Sequence, residues 1–150
     1  MWTKIRKKLL ETLPESLKGK IDFQMAAYRF GWRSIDKGHQ LPTITIMYNG
    51  EIVLRTYQYL DYIKNNYHYE MYDRLYFDTD HFLDSFRKYH SMKHYDACRL
   101  DDVYFRLFAL LDRRVGKRTL VRMMSDLNRC LIPELSRICR IRFEVEGIKK

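Results

Sequence analysis

His90, His94 and Cys98 fall at i, i+4 and i+8, the spacing that would align two imidazoles and a thiolate on one face of an unbroken helix, as a tetrahedral metal requires. Ser91 reads as a cap that breaks such a helix, and the three side chains then diverge. Asp78, Asp80, His81 and Asp84 cluster just before them, but helix capping and the preference of carboxylates for a helix N-terminus account for that cluster equally well. No metal is expected. A second polar set, Asp61, His68, Glu70 and Asp73 among tyrosines, has residue types suited to proton transfer. Its spacing alone brings no pair within hydrogen-bond reach. The chain has no GxSxG, no HExxH and no glycine loop for phosphates, and its six glycines leave little material for a backbone cradle. No catalytic residue and no cofactor are assigned. A small enzyme with an unrecognised Asp/His/Tyr site is kept as an alternative.

Two further groups suit binding rather than chemistry. Arg113, Arg114, Lys117, Arg118 and Arg122 lie close together, with Arg118 and Arg122 one helical turn apart and Arg129 beyond. Guanidinium groups in such a patch would steer and grip phosphate or carboxylate, so an anionic partner, either an acidic protein or a nucleic acid, is the expectation. The competing reading is a solvated helix face paired to Asp102, Asp112 and Asp126. Residues 109–122 also invite a helix-turn-helix reading, as an alternative in which the protein binds DNA or RNA. Arg114 then stands where a turn glycine would ease a left-handed backbone, and Leu110 where a small residue would let the helices approach. Tyr67, Tyr69 and Tyr72 are candidates for a protein contact, since tyrosine is amphipathic and loses little rotamer freedom on binding. They fit half-buried sheet positions just as well.

The elements that must position these groups follow from periodicity. Residues 1–13 form an amphipathic helix with Trp2, Ile5, Leu9 and Leu13 on one stripe, and Pro14 ends it. Ile21, Phe23 and Met25 alternate with Asp22 and Gln24 as in a strand, and residues 31–41 read as a polar loop. Runs 43–48 and 51–58 are β-branched and flank Asn49-Gly50, the favoured turn of a two-residue hairpin. Residues 57–77 match neither strand nor helix cleanly. Beyond them Phe82, Leu83, Phe86 and Tyr89 make a helical stripe, with Thr79 or Asp80 as cap. Asp101 is the expected cap of a strong helix with Val103, Leu107, Leu110 and Leu111 on its core face. After Gly116 comes a helix over 117–127, then Pro133 opens a last helix over 133–146 that Gly147 stops. The expected class is α+β, a small antiparallel three-stranded meander with about five packed helices. The expected organisation is a single domain over 1–150, with the helix at 1–13, strands within 21–58 and a helical part over 79–146.

Length and composition agree. With 150 residues, 46% hydrophobic and 31% charged, the chain can bury one core under a charged surface. No apolar run approaches the roughly 20 residues of a membrane helix, and the basic N-terminus is too interrupted by Lys and Arg for a secretory signal. Cys98, Cys130 and Cys139 lack CxxC spacing and suggest a reducing compartment. The net charge of +9 is uneven: residues 99–150 carry thirteen Lys/Arg against seven acids, while residues 21–98 are nearly balanced.

The opening Met1-Trp2-Thr3-Lys4 with 16–20 (SLKGK), the segment 109–118 (ALLDRRVGKR) and the ending 140–147 (RIRFEVEG) are familiar together. On these the chain resembles an uncharacterised family of small bacterial cytosolic proteins. The resemblance implies a bacterial, cytoplasmic protein and carries no activity, cofactor or site residue with it.

Overall fold

The computed structural model describes residues 2–29, 40–56, 79–97, 102–129 and 132–148. Within them run α1 (Trp2–Thr12), β1 (Ile21–Arg29), β2 (Gln40–Tyr48), β3 (Glu51–Arg55), α2 (Thr79–Ser91), α3 (His94–Ala97), α4 (Val103–Leu110), α5 (Lys117–Arg129) and α6 (Pro133–Glu146). The fold is α+β: one three-stranded antiparallel sheet in the order β1-β2-β3, with the helices packed on it and on one another.

Asn49 and Gly50 both take positive φ, 50° and 85°, which is the type I′ turn that matches strand twist, and they pair Tyr48 with Glu51. Further along, Ile46 faces Leu54 while Met47 faces Ile52, so Val53 is a bulge residue. The extra residue resets the alternation, and Val53 and Leu54 are consecutively buried. On the paired strands Ile21, Phe23, Ile44 and Ile46 share one face and are buried. Helix α1 lays Ile5 and Leu9 beside that core and is tied to β1 by Arg6, whose Nε donates to Phe23 O at 3.0 Å and Nη2 to Asp22 at 2.7 Å. Across the sheet Arg137 of α6 donates Nη1 to Ile52 O at 3.2 Å.

The helical layer is organised around Phe108. Its ring meets those of Phe82, Phe86 and Tyr89 at centroid distances of 5.1, 5.2 and 5.6 Å, which places the stripe of α2 against α4. Helix α4 is apolar nearly all round, with Phe105, Leu107, Phe108, Ala109 and Leu110 all buried. Its N-cap is Asp102, whose Oδ1 accepts from the Tyr104 and Phe105 amides at 2.9 and 3.1 Å, and not the expected Asp101. The cap must directly precede Val103, and only Asp102 does. Strand β2 likewise begins at Gln40, inside the stretch read as a loop, because pairing with β1 extends to Arg29. The start of α2 is held by Thr79, whose hydroxyl lies 2.7 Å from that of Thr56, itself accepting from the Ile44 amide. Helix α6 opens on Pro133 and closes on Gly147 at φ 64°, as read from the sequence. Residues 57–78, including the ambiguous 57–77 stretch, lie outside the described residues.

One buried side chain departs from this apolar pattern. Arg142 of α6 is 1% exposed, and its guanidinium donates Nη1 to Leu110 O at 2.7 Å and to Asp112 O at 3.0 Å, and Nη2 to Val115 O at 2.9 Å. Its Nε lies 2.9 Å from Glu146 one turn on. A charge out of water is tolerated only when so surrounded, and here it holds the whole 110–115 turn between α4 and α5. Replacing it takes the guanidinium from the Leu110 and Val115 carbonyls and leaves Asp112 O with only the Val115 amide, at 3.1 Å. Arg142→Met is expected to lose about 3 kcal/mol or more in urea unfolding. Arg142→Lys should fall between the two, because one ammonium cannot span three acceptors in the guanidinium's fixed fork. An Arg142→Met variant as stable as the parent would remove this role.

Candidate functional site

Residues 111–116 leave α4, turn and enter α5, and three other elements fasten the turn. Arg142 holds its carbonyls from α6. The Arg113 amide donates to Thr12 O at the end of α1, at 2.8 Å. From α2, the buried Tyr89 hydroxyl donates to Asp112 Oδ2 at 2.7 Å. Asp112 is wholly buried and also accepts from the Arg114 amide at 2.9 Å, the local turn that aspartate makes two residues on.

The same carboxylate clamps the Arg114 guanidinium. Nε lies 3.1 Å from each carboxylate oxygen and Nη2 is 2.7 Å from Oδ2. Burial pushes the Asp112 carboxyl up, but the hydrogen bonds from Arg114 and Tyr89, the Arg114 amide and the guanidinium charge outweigh it and hold the group below its ordinary value. The Arg114 guanidinium is in turn raised, first by its hydrogen bonds to Asp112. Nη1 stands outside this clamp, and the side chain is 39% exposed. One arginine at the surface is thereby fixed in direction by a carboxylate beneath it.

A hollow of about 160 Å³ opens over this turn. Lys8, Glu11 and Thr12 of α1 form one wall, His90 of α2 another, and Asp112 to Arg114 the third. Lys8, Glu11, His90 and Arg113 are exposed. The His90 ring rests against Phe86 at 5.7 Å.

The predicted basic residues divide between the turn and α5. Arg113 and Arg114 sit in the turn, and Lys117, Arg118 and Arg122 occupy the first two turns of α5, all five exposed. Arg114 pairs with Asp112 as described. Among the described residues Arg113, Lys117, Arg118 and Arg122 make no ion pair; the Glu15 carboxyl is lowered by its hydrogen bond to Lys18 and the Lys18 charge, with Arg113 adding to them. Of the acids expected to neutralise the patch, Asp112 does so for Arg114 alone and Asp102 is occupied as a cap. The Asp126 side chain lies outside the described residues. Helix α5 has no acid in its first turn, and on its outer face Val121, 44% exposed, lies between Lys117 and Arg122. The opposite face buries Leu120 and Met123 and packs against α6.

Other candidates are not brought together. Helix α2 ends at Ser91, whose hydroxyl donates to Lys88 O at 2.9 Å, and His94 begins α3, so His90 and His94 are on separate helices. Asp84 pairs with Arg87 at 3.0 Å. Among the described residues no three His, Cys, Asp or Glu side chains cluster as metal ligands would. Asp61, His68, Glu70, Asp73, Asp78, Cys98 and the tyrosines Tyr67, Tyr69 and Tyr72 lie outside the described residues. Sequence reasoning missed Lys8 and His90 as neighbours of the turn, because nothing local links α1 and α2 to residue 113. The buried Arg142 did leave a signal: it continues the stripe of Leu135, Ile138 and Cys139 at helical spacing.

Residues 1–133 match the model of the SF0329 protein family. Neither a curated protein nor a solved structure matches the chain. Among the described residues, no helix is long and apolar enough to cross a membrane.

The depressed Asp112 carboxyl ties stability to pH. Its contribution is complete above the unfolded-state value of about 3.9, declines as pH falls below it, and is gone once pH passes under the folded value. Asp112→Asn should lose about 2–3 kcal/mol at pH 7, because the amide cannot accept from both Arg114 and Tyr89 as the carboxylate does. Urea unfolding between pH 7 and 3 should show a flatter acid limb for this variant than for the parent. Parallel acid limbs would mean that Asp112 is not the group responsible.

Proposed function

We propose, for a chain that belongs to the SF0329 protein family, a cytoplasmic accessory role without chemistry of its own, in which a basic surface at the α4–α5 turn and along α5 binds an anionic partner. The observation that carries it is the exposure of Arg113, Lys117, Arg118 and Arg122 without ion pairs among the described residues, beside an Arg114 whose direction is fixed by Asp112. Cations left unpaired on one helix face create a field that raises the local concentration of anions and speeds their encounter. A lone Val121 among them adds apolar contact. Three cysteines without CxxC spacing are in keeping with a reducing compartment.

A helix-turn-helix mode of DNA or RNA binding is less favoured by the geometry. Six residues, 111–116, separate the helices where that motif uses three or four. Among the described residues the only non-glycine with positive φ is Asn49, so Arg114 does not supply the left-handed turn position. An extended anionic partner laid along α5 fits better than a recognition helix inserted in a groove.

Fluorescence anisotropy with a labelled single-stranded oligonucleotide and with a poly-glutamate peptide tests this. The triple variant Lys117→Gln, Arg118→Gln, Arg122→Gln should weaken binding to at least one of them. For a nucleic acid, each cation removed should reduce the salt slope by about one. Equal affinities for parent and triple variant on both ligands would overturn the proposal.

A further inference from the structure

The hollow over the turn has a construction that the open face of α5 lacks. We infer that it is a binding site for a single phosphoryl dianion, free or as a small phosphate monoester, with Arg114 as its oriented donor and Lys8 and Arg113 as flanking cations. This narrows the reading above, since it presumes that the basic corner meets anions, but it rests on different residues.

Four observations lead to it. Arg114 is held by Nε and Nη2 on a wholly buried carboxylate, so its remaining edge is presented without the conformational search that a surface arginine normally makes. Asp112 is in turn fixed by Tyr89 and by the backbone of the turn, an outer layer that orients the binding group. Lys8 approaches from a different helix, and Lys8 and Arg113 make no ion pair among the described residues. The volume of about 160 Å³ accommodates a tetrahedral oxyanion with part of an attached group.

The charges also select. Asp112 is neutralised by Arg114, which leaves Lys8 and Arg113 facing Glu11, with Glu15 near Arg113. Glu15 is itself paired with Lys18 at 2.6 Å, so the charged groups lining the hollow leave an excess of one positive charge. A dianion gains from each cation at once, whereas a diester monoanion gains about half as much and brings two substituents to place. Glu11 opposes either ligand, so its removal should tighten binding.

The test is an amide-resolved NMR titration of the full chain with sodium phosphate, with ionic strength held constant by chloride, and a parallel titration with dimethyl phosphate. Saturable shifts are expected at amides of 11–13, 89–91 and 112–115. Lys8→Gln and Arg113→Gln, both at exposed positions and expected to fold, should each weaken phosphate by about tenfold, the loss of one charge-assisted hydrogen bond. Arg114→Gln should abolish saturation, and Glu11→Gln should tighten binding by about two- to fivefold. The α5 triple variant should bind phosphate as the parent does, so this site and the extended surface can fail separately. Shifts that do not saturate, phosphate affinity unchanged in both Lys8→Gln and Arg113→Gln, or dimethyl phosphate binding as tightly as phosphate would each overturn the inference.

Discussion

Arg142 places a full positive charge at 1% exposure among the carbonyls of Leu110, Asp112 and Val115. Such burial is costly unless every polar atom nearby is matched. A helix end normally leaves its last carbonyls to water or to a glycine cap. Here the Leu111 and Asp112 amides take the Phe108 and Ala109 carbonyls and a side chain from another helix takes that of Leu110, so the turn needs no glycine at its start. The chain can therefore run Leu111, Asp112, Arg113, Arg114 in succession, with Leu111 and Asp112 inward and the arginines outward.

From that constraint the charge arrangement follows in layers. Below the turn one guanidinium meets carbonyl dipoles and Glu146. Within it one carboxylate meets Tyr89 and Arg114. Above it lie cations that make no ion pair among the described residues. Each layer fixes the one outside it. The buried pair contributes rigidity more than net stability, since desolvation offsets much of its attraction. The outermost layer contributes field.

Much of this architecture was legible from residue order. Asn49-Gly50, Pro133 and Gly147 each impose a backbone geometry that few residues tolerate, so hairpin, helix start and helix stop were readable from single positions. The stripes of Ile5 and Leu9, and of Phe82, Phe86 and Tyr89, reported buried faces through their period. Arg118 and Arg122, one helical turn apart, share a face by geometry alone. What escaped was whatever depends on contact between distant segments. Lys8 and Arg113 are more than a hundred positions apart, and no local pattern joins them. Asp112 looked like one more surface acid among arginines; its burial is set by Tyr89 and Arg142, which reach it from elsewhere. Asp101 and Asp102 were indistinguishable as caps until the first helical residue was fixed.

The two arginines at opposite margins of the sheet carry a different consequence. Arg6 holds a carbonyl of β1 and Arg137 one of β3, the outer strands of the described three. An open margin is a template on which a foreign strand can grow, and proteins that crowd together in cells suffer for leaving one bare. With a bulky cation seated on each, an incoming chain would have to evict a bonded guanidinium and bring its own polar groups past a positive charge. Among the described residues, one carbonyl on each outer strand is thus already taken by a helix that also serves the interior.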